Sequence, residues 1–277
     1  SINASESITL DGASLAGHGI RLTSQQLVLN GAIQAPLVNL DSDSLTLGQD
    51  GLSIDGNLNL DLRGDFTLNG PLSVSGDARI ESGGNQHYLS EVQAEGSLAL
   101  LAGGNLTLDS NVQAGTQMIL EAGGDLYLHG AANANAGMRL AAGQQLQAEQ
   151  AIVAGALDVS AADARFAADV AAGGDMRFRV GKLQDNCSLQ SGGTLDIAAG
   201  GGGVEAGNVR SNLDLIIDSQ GSIRMGDADA ARDLQLAEQA DIDSGHLIAG
   251  RNLNLDARGG TLRSGPIRAG GNIDIDA

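Results

Sequence analysis

The sequence predicts an all-β chain wound as a single-stranded, right-handed parallel β-helix (a solenoid) of about 14 coils, and three observations lead there. Apolar residues come in pairs separated by one residue, the period of a strand with one buried face. These pairs recur at steps of 18–21 residues along almost the whole chain. Clusters of Gly, Asn, Asp and Ser, the residues of tight turns, separate them.

The first series of pairs runs Ile20/Leu22, Val38/Leu40, Leu58/Leu60, Ala78/Ile80, Leu98/Leu100, Met118/Leu120 and Met138/Leu140. It continues through Leu157/Val159, Met176/Phe178, Leu195/Ile197, Leu213/Leu215, Leu234/Leu236, Leu253/Leu255 and Ile273/Ile275. A second series lies between them at Leu27/Leu29, Leu45/Leu47, Phe66/Leu68, Leu106/Leu108 and Leu126/Leu128, so each repeat holds two or three short strands. Strands this short cannot bury an apolar face alone. Stacking each coil on the equivalent strands of the next buries all of them in one column. The right hand is the commoner one for such a winding.

The corners carry a recurrent tag, as in LAGGNLTLD (101–109), AGGDLYL (122–128), AGGDMRF (172–178), AGRNLNL (249–255) and AGGNIDI (269–275). Gly103 and Gly104 are expected to turn the corner, and stacked Asn residues such as Asn105 to form inward amide ladders. The tag precedes the second series at Leu106 and Leu126 but the first at Met176, Leu253 and Ile273, which predicts a phase slip within 141–172. Segments 84–97 and 180–193 break the pattern and are expected to loop out. Segment 227–240 is rich in helix formers behind a candidate N-cap at Asp227, so a short surface helix competes there with another strand. No Pro/Ser linker or composition break divides the chain, and 1–277 reads as one domain.

Composition narrows the function classes. The 277 residues are 42% hydrophobic, with 41 Gly but only 3 Pro, no Trp, two Tyr and three Phe. Apolar residues this regularly spaced argue against disorder, and glycine without a three-residue period excludes collagen. With 34 Asp and Glu against 15 Lys and Arg, the net charge is −19. Such a surface repels nucleic acid and anionic lipid, and keeps like chains apart, so a monomer is expected. The lone cysteine, Cys187, rules out an internal disulfide framework. No apolar run approaches the length of a membrane span. The start, SINASESITL, lacks the basic and apolar regions of a signal peptide.

The AGGxLxLx tag at this spacing, clearest in 94–145 and 245–277, resembles the filamentous-haemagglutinin repeat. That repeat forms the shaft of bacterial two-partner-secretion exoproteins, among them large adhesins and contact-dependent growth-inhibition effectors. The resemblance implies an internal shaft fragment of a longer protein, secreted or displayed on a Gram-negative cell. Its outer-membrane secretion partner would be engaged through an N-terminal module that has no counterpart here. A host-cell or bacterial surface receptor is the implied partner of the shaft. The adhesin reading comes first; a growth-inhibition shaft that presents a receptor-binding region and a toxin is the alternative, and the flanking modules would separate the two.

Candidate chemistry weighs against a β-helical polysaccharide-active enzyme, so no catalytic residue, cofactor or metal ligand is assigned. Such enzymes need paired carboxylates and aromatic sugar platforms, which two tyrosines and one lysine, Lys182, scarcely provide. His18, His87, His129 and His246 share no spacing and accompany no nucleophile motif. Gly200–Gly203 lacks the Lys-Ser/Thr of a phosphate loop and reads as a corner. Asp41/Asp43 and Asp241/Asp243 could hold a cation between coils, but solvated turn carboxylates are strongly favoured. Arg63-Gly64-Asp65 could engage an integrin from an exposed turn. Gly-Asp occurs five times here, so an accidental Arg before one of them is favoured. The sequons at Asn3, Asn105 and Asn186 read as coincidental. A specific contact is expected on 84–97 or 180–193, because loops carry function on solenoids.

Overall fold

The computed structural model describes residues 1–277 apart from 12, 13, 16, 31, 32, 49, 50, 186 and 258, and describes only the backbone of Ser14 and Leu15. The described residues form strands and turns with no helix, and parallel strands stack as a β-solenoid of about 13 turns, as expected. Two compact units, 1–143 and 144–277, make up the chain.

In the first unit a regular turn contains three strands: Leu98–Ala102, Leu106–Leu108 and Val112–Ala114. Each pairs in parallel with the strand 20 residues on, Leu98 with Met118, Leu106 with Leu126 and Val112 with Ala132. The second unit repeats the plan with Leu215–Ser219, Ile223–Met225 and Ala228–Ala230. There the partners lie 19 residues on, at Leu234, Ile242 and Leu247.

The alternation seen in the sequence is the in–out alternation of these strands. Leu98, Leu100 and Ala102 point inward while Ala99 and Leu101 face out. Inward residues at one position then form columns of like side chains, such as Leu60–Ile80–Leu100–Leu120–Leu140. Burying each of these large aliphatic side chains contributes roughly 1.5–3 kcal/mol, and no coil could gain that alone. The few inward aromatics pair across adjacent coils, Phe66 edge-on to Tyr88 at 5.6 Å and Phe166 edge-on to Phe178 at 5.8 Å.

Several expectations are corrected. Leu213 is not a rung of the column: Leu195 pairs with Leu215 and Ile197 with Ile217, while Leu213 sits 37% exposed at a corner. Segment 84–97 does not loop out. Gln86–Tyr88 and Val92–Ala94 are full members of the second and third strand columns. The inward Gln86 obscured this, and it is accommodated by donating from Nε2 to the Leu101 carbonyl at 2.7 Å and accepting the Tyr88 hydroxyl at 2.8 Å. Segment 180–193 also stays in the column, as parts of the strands Met176–Asp185 and Leu189–Ser191, with a register irregularity between Val180 and Lys182. In 227–240 there is no helix: Ala228–Ala230 and Leu234–Glu238 are strands, and Asp227 caps no helix.

The change in the tag's place is real. In the first unit it joins the end of the wide strand to the second strand, as at Ala102-Gly103-Gly104-Asn105. In the second unit it joins the third strand to the next wide strand, as at Ala172-Gly173-Gly174-Asp175. Gly103 and Gly104 are required by space rather than by φ, since neither has a positive φ. A Cβ on Gly103 would strike the Gly83 carbonyl, and one on Gly104 the Asn85 side chain.

Candidate interaction surface

With the apolar side chains committed to the column, interaction with anything else falls to the corners and outward rows. The corners are tied by a side-chain ladder. Asp65, Asn85 and Asn105 each accept at Oδ1 the backbone N–H of the residue one coil on: Asn85 at 2.7 Å, Asn105 at 2.8 Å and Asp125 at 2.9 Å. The second unit builds its own series, with Asp175 accepting from Thr194, Asp214 from Asp233, Asp233 from Asn252 and Asn252 from Asn272. Asn105 is exposed, so the expected inward amide ladder is in fact an outer side-chain-to-backbone ladder. It satisfies corner N–H groups that no strand pairing reaches. The N–H of Asn252 is the main reason why the Asp233 carboxyl is held below its ordinary pKa.

The Arg63-Gly64-Asp65 turn is woven into this scaffold. The Arg63 guanidinium pairs with Asp43 and lies 3.5 Å from Asp41, which raises its pKa, while Asp65 serves the ladder. Asp41 and Asp43 therefore face an arginine. Asp241 is occupied by the Thr261 N–H at 2.8 Å, and Asp243 lies in register between Arg224 and Arg263. No group of three or more His, Cys, Asp or Glu among the described residues is arranged to hold a metal ion.

Three of the histidines also bridge coils. His87 Nε2 lies 2.7 Å from Asp109 Oδ2, His129 Nε2 lies 3.9 Å from Asp109 Oδ1, and His246 Nδ1 lies 2.9 Å from Asp227 Oδ1. The fourth, His18, is exposed. The Tyr127 and His129 rings lie nearly parallel with centroids 6.4 Å apart. The Cys187 thiol donates to the Ala167 carbonyl, and burial, then the carboxylates of Asp185 and Asp169, push its pKa up. That makes it a poor nucleophile. Gly200–Gly203 lies within the strand Leu195–Ala206, with Gly203 at φ 79°. Asn186 of one sequon lies outside the described residues.

Asp185 is the feature that the sequence reading missed. It occupies an inward position in the coil between Phe166 and Ala206 and is fully buried. Its Oδ1 accepts the Cys187 N–H at 2.9 Å, whereas Oδ2 has no partner among the described residues. Burial pushes its pKa up to about 6, and Asp169 adds to the rise. The signal available was parity, since Leu183 and Asp185 alternate as inward residues.

This three-strand coil, with its tagged corners, matches one known family over part of its length. Residues 1–137 match the model of the hemagglutinin-repeat family. The match to the family model described as hemagglutinin repeat covers just under half of the chain and lies wholly within the first unit. No curated protein and no solved structure matches. The matched residues include the Arg63-Gly64-Asp65 turn, 84–97, and the His87–Asp109–His129 cluster. No helix among the described residues is long and apolar enough to cross a membrane.

Proposed function

We propose that this chain is a structural, adhesin-like shaft segment of a secreted or surface-displayed bacterial exoprotein of the two-partner-secretion class. Its task on this reading is to present or mediate contact between the producing cell and a host or neighbouring cell. The observation that carries the reading is the hemagglutinin-repeat match over residues 1–137, on coils whose corner side chains are spent on holding the next coil. A non-enzymatic role agrees with it, because the Asp43, Asp109 and Asp227 carboxylates are engaged in bridging coils.

The test uses the producing bacterium. The segment is deleted in frame from the native exoprotein, and attachment to host epithelial cells and to neighbouring bacteria is scored at matched surface level. Attachment is expected to fall. Unchanged attachment at equal display, or reproducible cleavage of a pectin, glycan and glycosaminoglycan panel by the purified chain, would contradict the proposal. Killing of neighbours that is lost on deletion, with attachment intact, would transfer the shaft to the growth-inhibition class.

A further inference from the structure

The first unit holds four arginines and no lysine against fifteen Asp and Glu, yet all four arginines lie on one face or its edge. That face is formed by the outward residues of the widest strands, which make two neighbouring rows. The row nearer the start of each strand runs in register from Arg21 through Asn39 and Asn59 to Arg79, and ends at Arg139. The row beside it carries Asp41, Asp61, Glu81 and Glu121. Between the charged ends, Ala99, Leu101 and Ile119 leave a half-buried apolar centre. Arg63 borders the face through its contacts with Asp41 and Asp43. A shallow groove of about 280 Å³ follows the polar part, between Arg21 and Glu81.

One row is donor-bearing, the other is carboxylate-bearing, and they lie side by side; this makes the face self-complementary in one orientation only. We propose that it is the interface for a second copy of this chain, docked face to face and parallel, with the two-fold axis along the stacking direction. That operation lays each row on the opposite row of the partner copy, so Arg79 meets Glu81, Asn59 meets Asp61 and Ala99 meets Leu101. The antiparallel alternative at full overlap lays each row on its own counterpart, Arg79 on Arg79, Arg21 on Arg139, Glu81 on Glu81 and Asp41 on Glu121, and charge excludes it. A monomer was expected because of the net charge of −19, but the repulsion is weakest on the one face that concentrates the unit's basic groups.

Six inter-coil steps of about 4.8 Å and a face roughly 15 Å wide give about 450 Å² per copy. The total of about 900 Å² lies at the low end for specific complexes, so the dimer is weak, concentration-dependent and salt-sensitive.

The test is sedimentation equilibrium of the full chain at low salt, with R79E and E81R alone and mixed. Wild type is expected to shift toward dimer with concentration. Each variant places like charges opposite each other and should weaken self-association by at least about tenfold. Mixing R79E with E81R restores opposite charges across the interface and should restore the dimer. Both variants lose the internal Arg79–Glu81 pair at 2.5 Å, so a purely structural effect would not be rescued by mixing. A wild type that stays monomeric at every concentration, variants that associate like wild type, or a mixture that stays monomeric would each overturn the proposal.

Discussion

Replacing Asp185 with Asn should make the second unit more stable at neutral pH and remove part of its pH dependence. Asp185 is fully buried with Oδ2 unpartnered among the described residues, and burial pushes its folded pKa up to about 6. An unfolded aspartate titrates near ~3.9, so the shift of about 2 units corresponds to ~3 kcal/mol. The folded pKa is the raised one. The stability is therefore fully present below about pH 4 and lost as pH rises through about 6, with no further change above. Asn cannot ionise and keeps the acceptor for the Cys187 N–H, but it buries an unpaired amide N–H that costs about 1–3 kcal/mol. The net expectation is a gain of about 0–2 kcal/mol at neutral pH and a loss of about 1–3 kcal/mol at about pH 4. Urea unfolding midpoints of both proteins across that range measure it. Parallel pH profiles for wild type and variant, with no crossing, would refute the reasoning.

The corner ladder and the glycines make separate predictions. Asn105→Ala should cost about 0.5–1.5 kcal/mol by removing the acceptor for the Asp125 N–H, whereas Asn105→Asp should be close to neutral, since Asp65 does the same work two coils earlier. Urea midpoints separate the two. Gly115→Ala should destabilise by on the order of 1–3 kcal/mol, because the new methyl would strike the Glu95 carbonyl. Gly137→Ala has open space around it and should be neutral or gain up to about 1 kcal/mol; thermal melts compare the pair. Asp65→Glu should leave attachment of integrin-bearing cells unchanged, and a loss of attachment would restore the Arg-Gly-Asp turn as a ligand.

The coils were legible because the column accepts little but alternating apolar pairs, and each inward pair announces itself. What escaped were the positions where a polar residue occupies an inward site. Gln86 and Tyr88 satisfy each other inside the column, so their strand looked like a loop. Ala228/Ala230 fill a narrow part of the interior with small residues that also favour helices, so a strand resembled a helix. Leu213 mimicked the rung two residues early, because its pair with Leu215 has the same spacing as the real pair Leu215/Ile217. The two-row face was invisible for another reason. It depends on which outward residues stand above one another, and that follows only once the 20-residue register is fixed.

Register is also where the account is most exposed. Leu106 stacks on Leu126, so deleting residues 106–125 removes one whole coil and joins Asn105 to Leu126 in the same corner geometry. Deleting only 106–115 removes half a coil and places strand residues at corner positions. Cooperative unfolding followed by far-UV circular dichroism is expected to survive the first deletion nearly unchanged and to be lost or grossly broadened in the second. Equal disruption by the two deletions would contradict a solenoid held in this register.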